Sequence, residues 1–189
     1  QTIEVGIHKK EDLEKPGFQK VLTGAGSSFA SVTSIMETNL ESVMPWTKNG
    51  QQWHLGPKGF PPGQGCQWDQ ALLPQLLSLL KKIDSEAEFN FNLRDAIHVK
   101  PSLCKAFWVR MKTKQANALE LICYCTKGQF NITRFDSLSS LSDWVTSKPK
   151  VDEAQFAFTK DSDLQTKELT AFLTEVREGL LRQFGTGAA

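Results

Sequence analysis

Apolar and polar residues alternate with a period of two in several short segments of the second half of the chain. The alternation covers 87–93, 107–111, 119–123 and 130–132, and it returns in 154–159. Side chains of a β-strand point alternately to opposite faces, so these segments predict a sheet with one buried and one solvated face. The connections between them are short and turn-like, which favours a mainly antiparallel sheet of about four to six strands.

Helical signals surround these segments. A leucine stripe predicts a helix over 68–83, with Pro74 either in its first turn or at a bend. Asp136–Ser137 can cap a helix ending near residue 147, and Ser162 with Gln165 fits a capping box before a last helix that reaches Phe184. The predicted fold class is therefore α+β, an antiparallel sheet with helices packed on one face.

Composition shifts divide the chain into three parts. The first part, residues 1–44, is predicted to contain a short strand and a helix. The second part, residues 45–67, is rich in proline, glycine and tryptophan. The third part, residues 68–189, is predicted to hold the α+β sheet domain with its C-terminal helix. The middle part predicts a long loop or linker. Its aromatic residues can dock it on the body or make it a lid, and the sequence leaves both alternatives open.

Charge and cysteine usage restrict the partners. The net charge is +1, which gives no overall attraction to nucleic acid or acidic membranes. No apolar run is long enough to cross a bilayer. The four cysteines form no disulfide framework, and the histidines are scattered. We therefore expect buried thiols, no metal site, no membrane association, and an intracellular location in the nucleus or cytoplasm.

Residues with catalytic potential are few. No carboxylate pair lies beside a histidine, and no nucleophile elbow is present, so we predict no catalytic residues and no cofactor. The nearest thing to a phosphate cradle is the turn with Gly24, Gly26, Ser27 and Ser28, which precedes a predicted helix. This turn carries the alternative hypothesis of a small-ligand or nucleotide-binding enzyme.

Basic and aromatic residues are interleaved on one predicted hairpin. Such a pattern can grip phosphates and stack bases, which gives a second alternative, a nucleic-acid-binding domain. By strand parity, Trp108 should share a face with Arg110, and Phe107 should lie on the opposite face. The candidate contact residues are Lys105, Trp108, Arg110, Lys112 and Lys114.

The last predicted helix has a continuous apolar stripe. It can cover the sheet, which needs a lid, or it can bind a protein partner in a groove. The stripe consists of Leu169, Phe172, Leu173, Val176, Leu180 and Phe184.

The segment Gln165-Thr166-Lys167, which follows a phenylalanine-rich strand and precedes a long helix, resembles a known motif. It is similar to the QTK loop in the transducer domain of GHKL-type type II topoisomerases, including the topoisomerase VI B-like subunits. The resemblance covers roughly residues 87–184. It implies that Lys167 reaches the terminal phosphate of a nucleotide, although the ATP-binding motifs of the family are absent from this sequence. It also implies a nuclear role beside a DNA-cleaving subunit in meiotic break formation.

These observations together favour a non-catalytic macromolecule-binding module. A protein partner is expected, and nucleic acid is the further candidate. A transducer-like subunit of a DNA-processing complex is the most specific form of this hypothesis.

Overall fold

The computed structural model describes residues 44–186, and Pro45–Ala189 forms one compact unit. The strand, helix and Gly24–Ser28 turn predicted in the first 43 residues lie outside the described residues. The helices are α1 (Pro45–Asn49), α2 (Gln51–Leu55), α3 (Leu72–Ile83) and α4 (Thr166–Phe184). The strands are β1 (Glu88–Asn90), β2 (Ala96–Lys100), β3 (Val109–Lys112), β4 (Leu119–Thr126), β5 (Leu141–Val145) and β6 (Val151–Phe158).

The strands form one antiparallel sheet in the order β1-β2-β3-β4-β6-β5. Its longest pair is formed by the eight-residue strands β4 and β6, which align from Leu119 opposite Phe158 to Thr126 opposite Val151. The predicted α+β class with a mainly antiparallel sheet is confirmed. Among residues 44–186 no helix is both long enough and apolar enough to cross a membrane.

Helices α3 and α4 cover one face of the sheet, as the alternation predicts. On β4 this inner face carries Leu119, Leu121, Cys123 and Cys125, all fully buried. The inner-face residues of the other central strands and the leucines of α3 belong to the same buried core. Burial of one such side chain contributes about 1.5–3 kcal/mol, so this face supplies most of the stability of the unit.

The opposite face of the sheet carries ion pairs instead of a helix within the described part of the chain. Lys112 Nζ lies 2.7 Å from a Glu120 carboxylate oxygen on the neighbouring strand. Similar pairs join Lys100 to Glu88, Arg110 to Asp95 and Lys148 to Glu153. This face therefore presents nearly balanced charge to solvent.

Two local predictions are wrong. The helix predicted over 136–147 is instead a turn followed by the edge strand β5, because Leu141, Trp144 and Val145 pair with β6. The strand predicted at 130–132 is a loop leading into a 3-10 helix, Ile132–Phe135. The first alternating segment forms only the three-residue strand β1, and β2 (Ala96–Lys100) was not predicted.

The starts of both long helices differ from the predicted ones. Helix α3 begins at Leu72, which places Pro74 in its first turn, where proline is tolerated. The capping box predicted at Ser162 and Gln165 is wrong. Instead, the Asp163 carboxylate accepts hydrogen bonds from the backbone N–H groups of Thr159 and Lys160. A 3-10 turn, Asp161–Leu164, follows Lys160, and α4 starts only after Gln165.

Residues 45–60 form a segment that we call the strap. It contains α1 and α2, each of five residues. Trp53 is buried, and its indole N–H donates a hydrogen bond to the carbonyl oxygen of Arg94 at 2.7 Å. The aromatic residues of this part of the chain thus dock it on the sheet domain.

Candidate functional site

The structure places the predicted site residues in very different environments. Gly24, Gly26, Ser27 and Ser28 lie outside the described residues. Lys167 is exposed in the first turn of α4. Beside it, the Gln165 side chain accepts hydrogen bonds from the backbone N–H and hydroxyl of Ser139, at 2.7 and 2.9 Å. Gln165 therefore fixes the Ser139 loop to the start of α4.

The candidate nucleic-acid residues do not form a continuous basic surface. Trp108 and Lys114 are buried. Lys112 is paired with Glu120, and an Arg110 guanidinium nitrogen lies 3.9 Å from an Asp95 carboxylate oxygen. Of these five candidates, Lys105 is the one that is exposed and has no ion-pair partner among residues 44–186. Most of the positive charge is thus either paired with carboxylates or buried.

The predicted facing of the two aromatic residues before β3 is wrong. Trp108 lies in the core, where its indole N–H donates to the carbonyl oxygen of Leu173 at 3.2 Å. Phe107 lies on the outer side, with its ring centroid 5.0 Å from that of His98. Strand β3 begins only at Val109, so residues 107 and 108 are not held to strand alternation.

The apolar stripe of α4 is occupied by the sheet. Leu169, Phe172, Leu173, Val176 and Leu180 are fully buried, and Phe184 is partly buried against the same core. Of the two predicted roles, covering the sheet is the one that this geometry fits. In this arrangement the five fully buried side chains offer no surface to a protein partner.

Histidine, cysteine and acidic side chains do not assemble into a metal site in the described part of the chain. Residues 44–186 contain no cluster of three or more histidine, cysteine or acidic side chains that could hold a metal ion. All four cysteines are free thiols, and burial raises the pKa of Cys123 and Cys125. A raised pKa keeps a thiol protonated and poorly nucleophilic.

The loop between β2 and β3, residues 101–107, exposes two large apolar side chains. Leu103 is 76% exposed and Phe107 is 44% exposed. They are four residues apart, so their Cα atoms are separated by at most about 14 Å. Leu103 also has a φ of +58°, in the left-handed region. This conformation costs an L-residue roughly 1–2 kcal/mol.

Contacts on both sides hold this loop in place. The backbone N–H and hydroxyl of Ser102 donate to the buried Asp84 carboxylate at 2.9 and 3.0 Å. The carbonyl oxygen of Leu103 accepts a hydrogen bond from the Thr186 N–H at 2.9 Å. Cys104 forms an isolated antiparallel bridge with Gly185. The exposed leucine is therefore presented by a fixed backbone.

A cleft of about 340 Å³ lies next to the loop on the outer face of the sheet. It is lined by Glu88, Phe89, Asn90, His98, Lys100 and Phe107. Its walls combine aromatic rings with a charged pair, because Lys100 and Glu88 lie 3.5 Å apart. Together, loop 101–107 and this cleft form the candidate binding surface.

Sequence patterns did not identify this surface. Leu103 lies in a short segment, Pro-Ser-Leu-Cys, with no periodicity, and nothing in that segment predicts a left-handed leucine. The sequence pattern places Phe107 in a strand, whereas β3 begins only two residues later, at Val109. The one available signal was the dipeptide Pro101–Ser102 before the leucine, because both residue types favour turns.

Comparison of the chain with family models, curated proteins and solved structures found no match.

Proposed function

We propose that the Pro45–Ala189 unit is a non-catalytic binding module that contacts another protein through loop 101–107. The observation that carries this proposal is Leu103, which is at once exposed, conformationally strained and firmly held. Strain of this kind persists only where the surrounding structure imposes it, and it is concentrated at functional sites. An exposed leucine on such a backbone suits insertion into an apolar pocket of a partner.

The rigidity of the loop favours binding. Ordering a flexible loop on association costs free energy, whereas a loop already fixed by Asp84 and Thr186 avoids most of that cost. Phe107 adds a second apolar group beside the outer cleft. A few such anchors generally supply most of the binding free energy of an interface.

A protein partner fits this surface better than nucleic acid does. Phosphate recognition needs several unpaired cations, and here Arg110 and Lys112 have carboxylate neighbours while Lys114 is buried. Lys105 alone provides one positive charge at the loop. The surface is therefore apolar with a slightly basic rim.

The resemblance of the Gln165–Lys167 segment supports a more specific form of the proposal. In this form the module is a transducer-like subunit of a nuclear DNA-processing complex, and the protein bound through loop 101–107 belongs to the same complex as a DNA-cleaving subunit. The exposed position of Lys167 is compatible with contact to a nucleotide held by another polypeptide.

The proposal is tested by quantitative copurification of the full chain from cell extract. The variant Leu103→Asp removes the apolar group, and aspartate tolerates the left-handed backbone conformation of this position. Recovery of the specific partner should fall more than about tenfold, as expected for loss of an interface anchor. Ile132→Asp is the matched control, since Ile132 is 59% exposed at the start of the 3-10 helix Ile132–Phe135, away from loop 101–107.

The Ile132→Asp variant should recover the partner as the wild-type chain does. Equal recovery of every protein by the wild-type chain and Leu103→Asp would contradict the proposal. Presence of a DNA-cleaving subunit among the proteins lost with Leu103→Asp would support its specific form, and absence of such a subunit would contradict that form alone.

A further inference from the structure

A buried polar cluster joins the strap to the sheet domain. His54 is only 2% exposed. Its Nε2 lies 3.0 Å from the carbonyl oxygen of Phe91, and its Nδ1 lies 2.7 Å from the hydroxyl oxygen of Thr113. A carbonyl oxygen can only accept, so Nε2 carries the proton and donates it to Phe91. Nδ1 is then the acceptor of the Thr113 hydroxyl proton.

This pattern fits a neutral ring and disfavours a charged one. Protonation of His54 places a second N–H at Nδ1, directed at the Thr113 hydroxyl. Thr113 must then turn its own proton elsewhere, and the carbonyl oxygen of Asp95 is 3.5 Å away, at the limit of a hydrogen bond. The protonated ring therefore has a poorer set of partners than the neutral ring.

A buried lysine adds positive charge next to the histidine. Lys114 is 4% exposed, and its Nζ donates to the carbonyl oxygens of His54 at 3.2 Å and Gly56 at 2.9 Å. These carbonyls lie at the C-terminal end of α2, so the lysine satisfies groups that the short helix leaves free. Its ammonium also lies 5.5 Å from the ring centroid of Trp53 and 5.0 Å from that of Phe60.

The other charged groups around the strap are mostly cations. Arg94 lies over the Trp46 ring, 5.8 Å from its centroid. Lys81 and Lys82 of α3 line a cleft of about 380 Å³ that Gln51 of the strap also lines. Asp95 is the nearby carboxylate, and its charge favours a protonated His54, whereas the charge of Lys114 opposes it. Cys66 also lies near enough to Lys114 to favour the charged form of the lysine.

We propose that His54 is an acid-sensitive latch whose protonation releases the strap from the sheet domain. Release breaks the hydrogen bond from the Trp53 indole to Arg94 and returns Trp53 to water. His54 is not part of the core beneath α3 and α4, and of the strap only partly buried side chains such as Leu55 and Phe60 pack against that core, so we expect it to stay folded while the strap moves.

The direction of the pH effect follows from the environment of the ring. Burial, followed by the charge of Lys114, lowers the pKa of the docked His54 below 6.5, although the Phe91 carbonyl opposes this shift. The released histidine titrates near its usual value, about 6.5. Docking is therefore strongest above about pH 6.5. Below that pH the equilibrium constant for docking falls by up to about tenfold per pH unit, until the pH reaches the pKa of the docked His54.

The test uses nuclear magnetic resonance of the full chain between pH 7 and pH 5. The indole N–H signal of Trp53 reports the strap, and the indole N–H signal of Trp108, bound to the carbonyl oxygen of Leu173, reports the core. We expect the Trp53 signal to leave its docked position with the same midpoint as the His54 ring, while the Trp108 signal stays in place.

Two variants serve as controls. His54→Gln keeps a donor for the Phe91 carbonyl but does not titrate, so its Trp53 signal should be the same at pH 7 and pH 5. His98→Gln removes the other histidine of residues 44–186, which lies on the outer face, and should retain the wild-type response.

Three results would overturn the proposal. The Trp53 and Trp108 signals of the wild-type chain could move together, which is global acid unfolding. The Trp53 signal could stay in place while the His54 ring titrates. The Trp53 signal of His54→Gln could follow the wild-type pH response. The first two outcomes are read from the wild-type chain alone, so they decide the matter even if His54→Gln does not fold.

Discussion

The buried side-chain carboxylate of Asp84 accepts a hydrogen bond from Nε of the partly exposed Arg177 at 2.7 Å, and this pair ties the end of α3 to the middle of α4. The same carboxylate holds Ser102 in loop 101–107. Burial alone would raise the pKa of Asp84, but the hydrogen bonds from Arg177 and Ser102 outweigh it and keep the pKa below its usual 3.8. One carboxylate thus fixes both helices and the candidate binding loop.

Replacing Asp84 with asparagine should destabilise the unit. The change removes the charge while leaving Arg177 and Ser102 in place, so we expect a loss of about 2 kcal/mol in the free energy of unfolding, measured by urea denaturation. The matched control is Glu88→Gln, because Glu88 is paired with Lys100 on the exposed outer face. That variant should lie within about 0.5 kcal/mol of the wild type. Equal effects of the two changes would contradict this role of Asp84.

The strain at Leu103 can be measured by comparing two truncations. Leu103→Ala and Leu103→Gly both remove the exposed side chain, but only glycine adopts the left-handed conformation without steric cost. We expect the glycine variant to be more stable than the alanine variant by about 1 kcal/mol. Urea unfolding of both proteins gives the difference. A more stable alanine variant would show that the leucine backbone is not strained.

Gly59 packs directly against the Trp53 ring of the strap. A Cβ at Gly59 would lie 2.4 Å from Cζ2 of Trp53, and the glycine has a φ of +95°. Gly63 has a φ of +75° but no atom within 4 Å of such a Cβ, so it controls for backbone strain alone. Gly59→Ala should therefore be less stable than Gly63→Ala by about 1–3 kcal/mol. Thermal unfolding of the two variants checks this, and identical midpoints would exclude the predicted clash.

Lys114 should give the unit an unusual stability profile at alkaline pH. Burial lowers the pKa of Lys114 to about 8, whereas an unfolded chain has a lysine pKa of about 10.4. Between these values the unfolded chain binds more protons, so stability rises with pH. The free energy of unfolding of the wild type minus that of Lys114→Met should increase between pH 8 and pH 10, by on the order of 1 kcal/mol per pH unit. The titrating groups that do not interact with Lys114 cancel in this difference. A constant or falling difference would contradict the prediction.

Much of the fold could be predicted because its signals are local and periodic. The alternation of Leu119 to Cys123 and the stripe from Leu169 to Leu180 each specify one element and one buried face. Strand β5 was missed because its type depends on pairing with β6, a contact that sequence periodicity does not contain. The local helix signal at Asp136 competes with this distant pairing, and the pairing prevails in the folded sheet.

The candidate site was much less predictable than the fold. Lys114 looked like one of several surface lysines, yet the strap buries it beneath Trp53 and Phe60. Leu103 looked unremarkable because its exposure and its positive φ arise from the contacts of Ser102 and Thr186 with distant residues. Both environments depend on contacts between segments that are far apart in the sequence, and composition does not encode those contacts.

The central claim, that loop 101–107 binds a protein, is tested most directly by site-specific photocrosslinking of the full chain in cells. A photoreactive phenylalanine analogue is placed at Leu103 and, in a matched chain, at Ile132, which is also exposed. We predict a discrete protein adduct from position 103 and none of the same mass from position 132. Absence of an adduct at position 103 in a folded chain, or the same adduct from both positions, would contradict the claim.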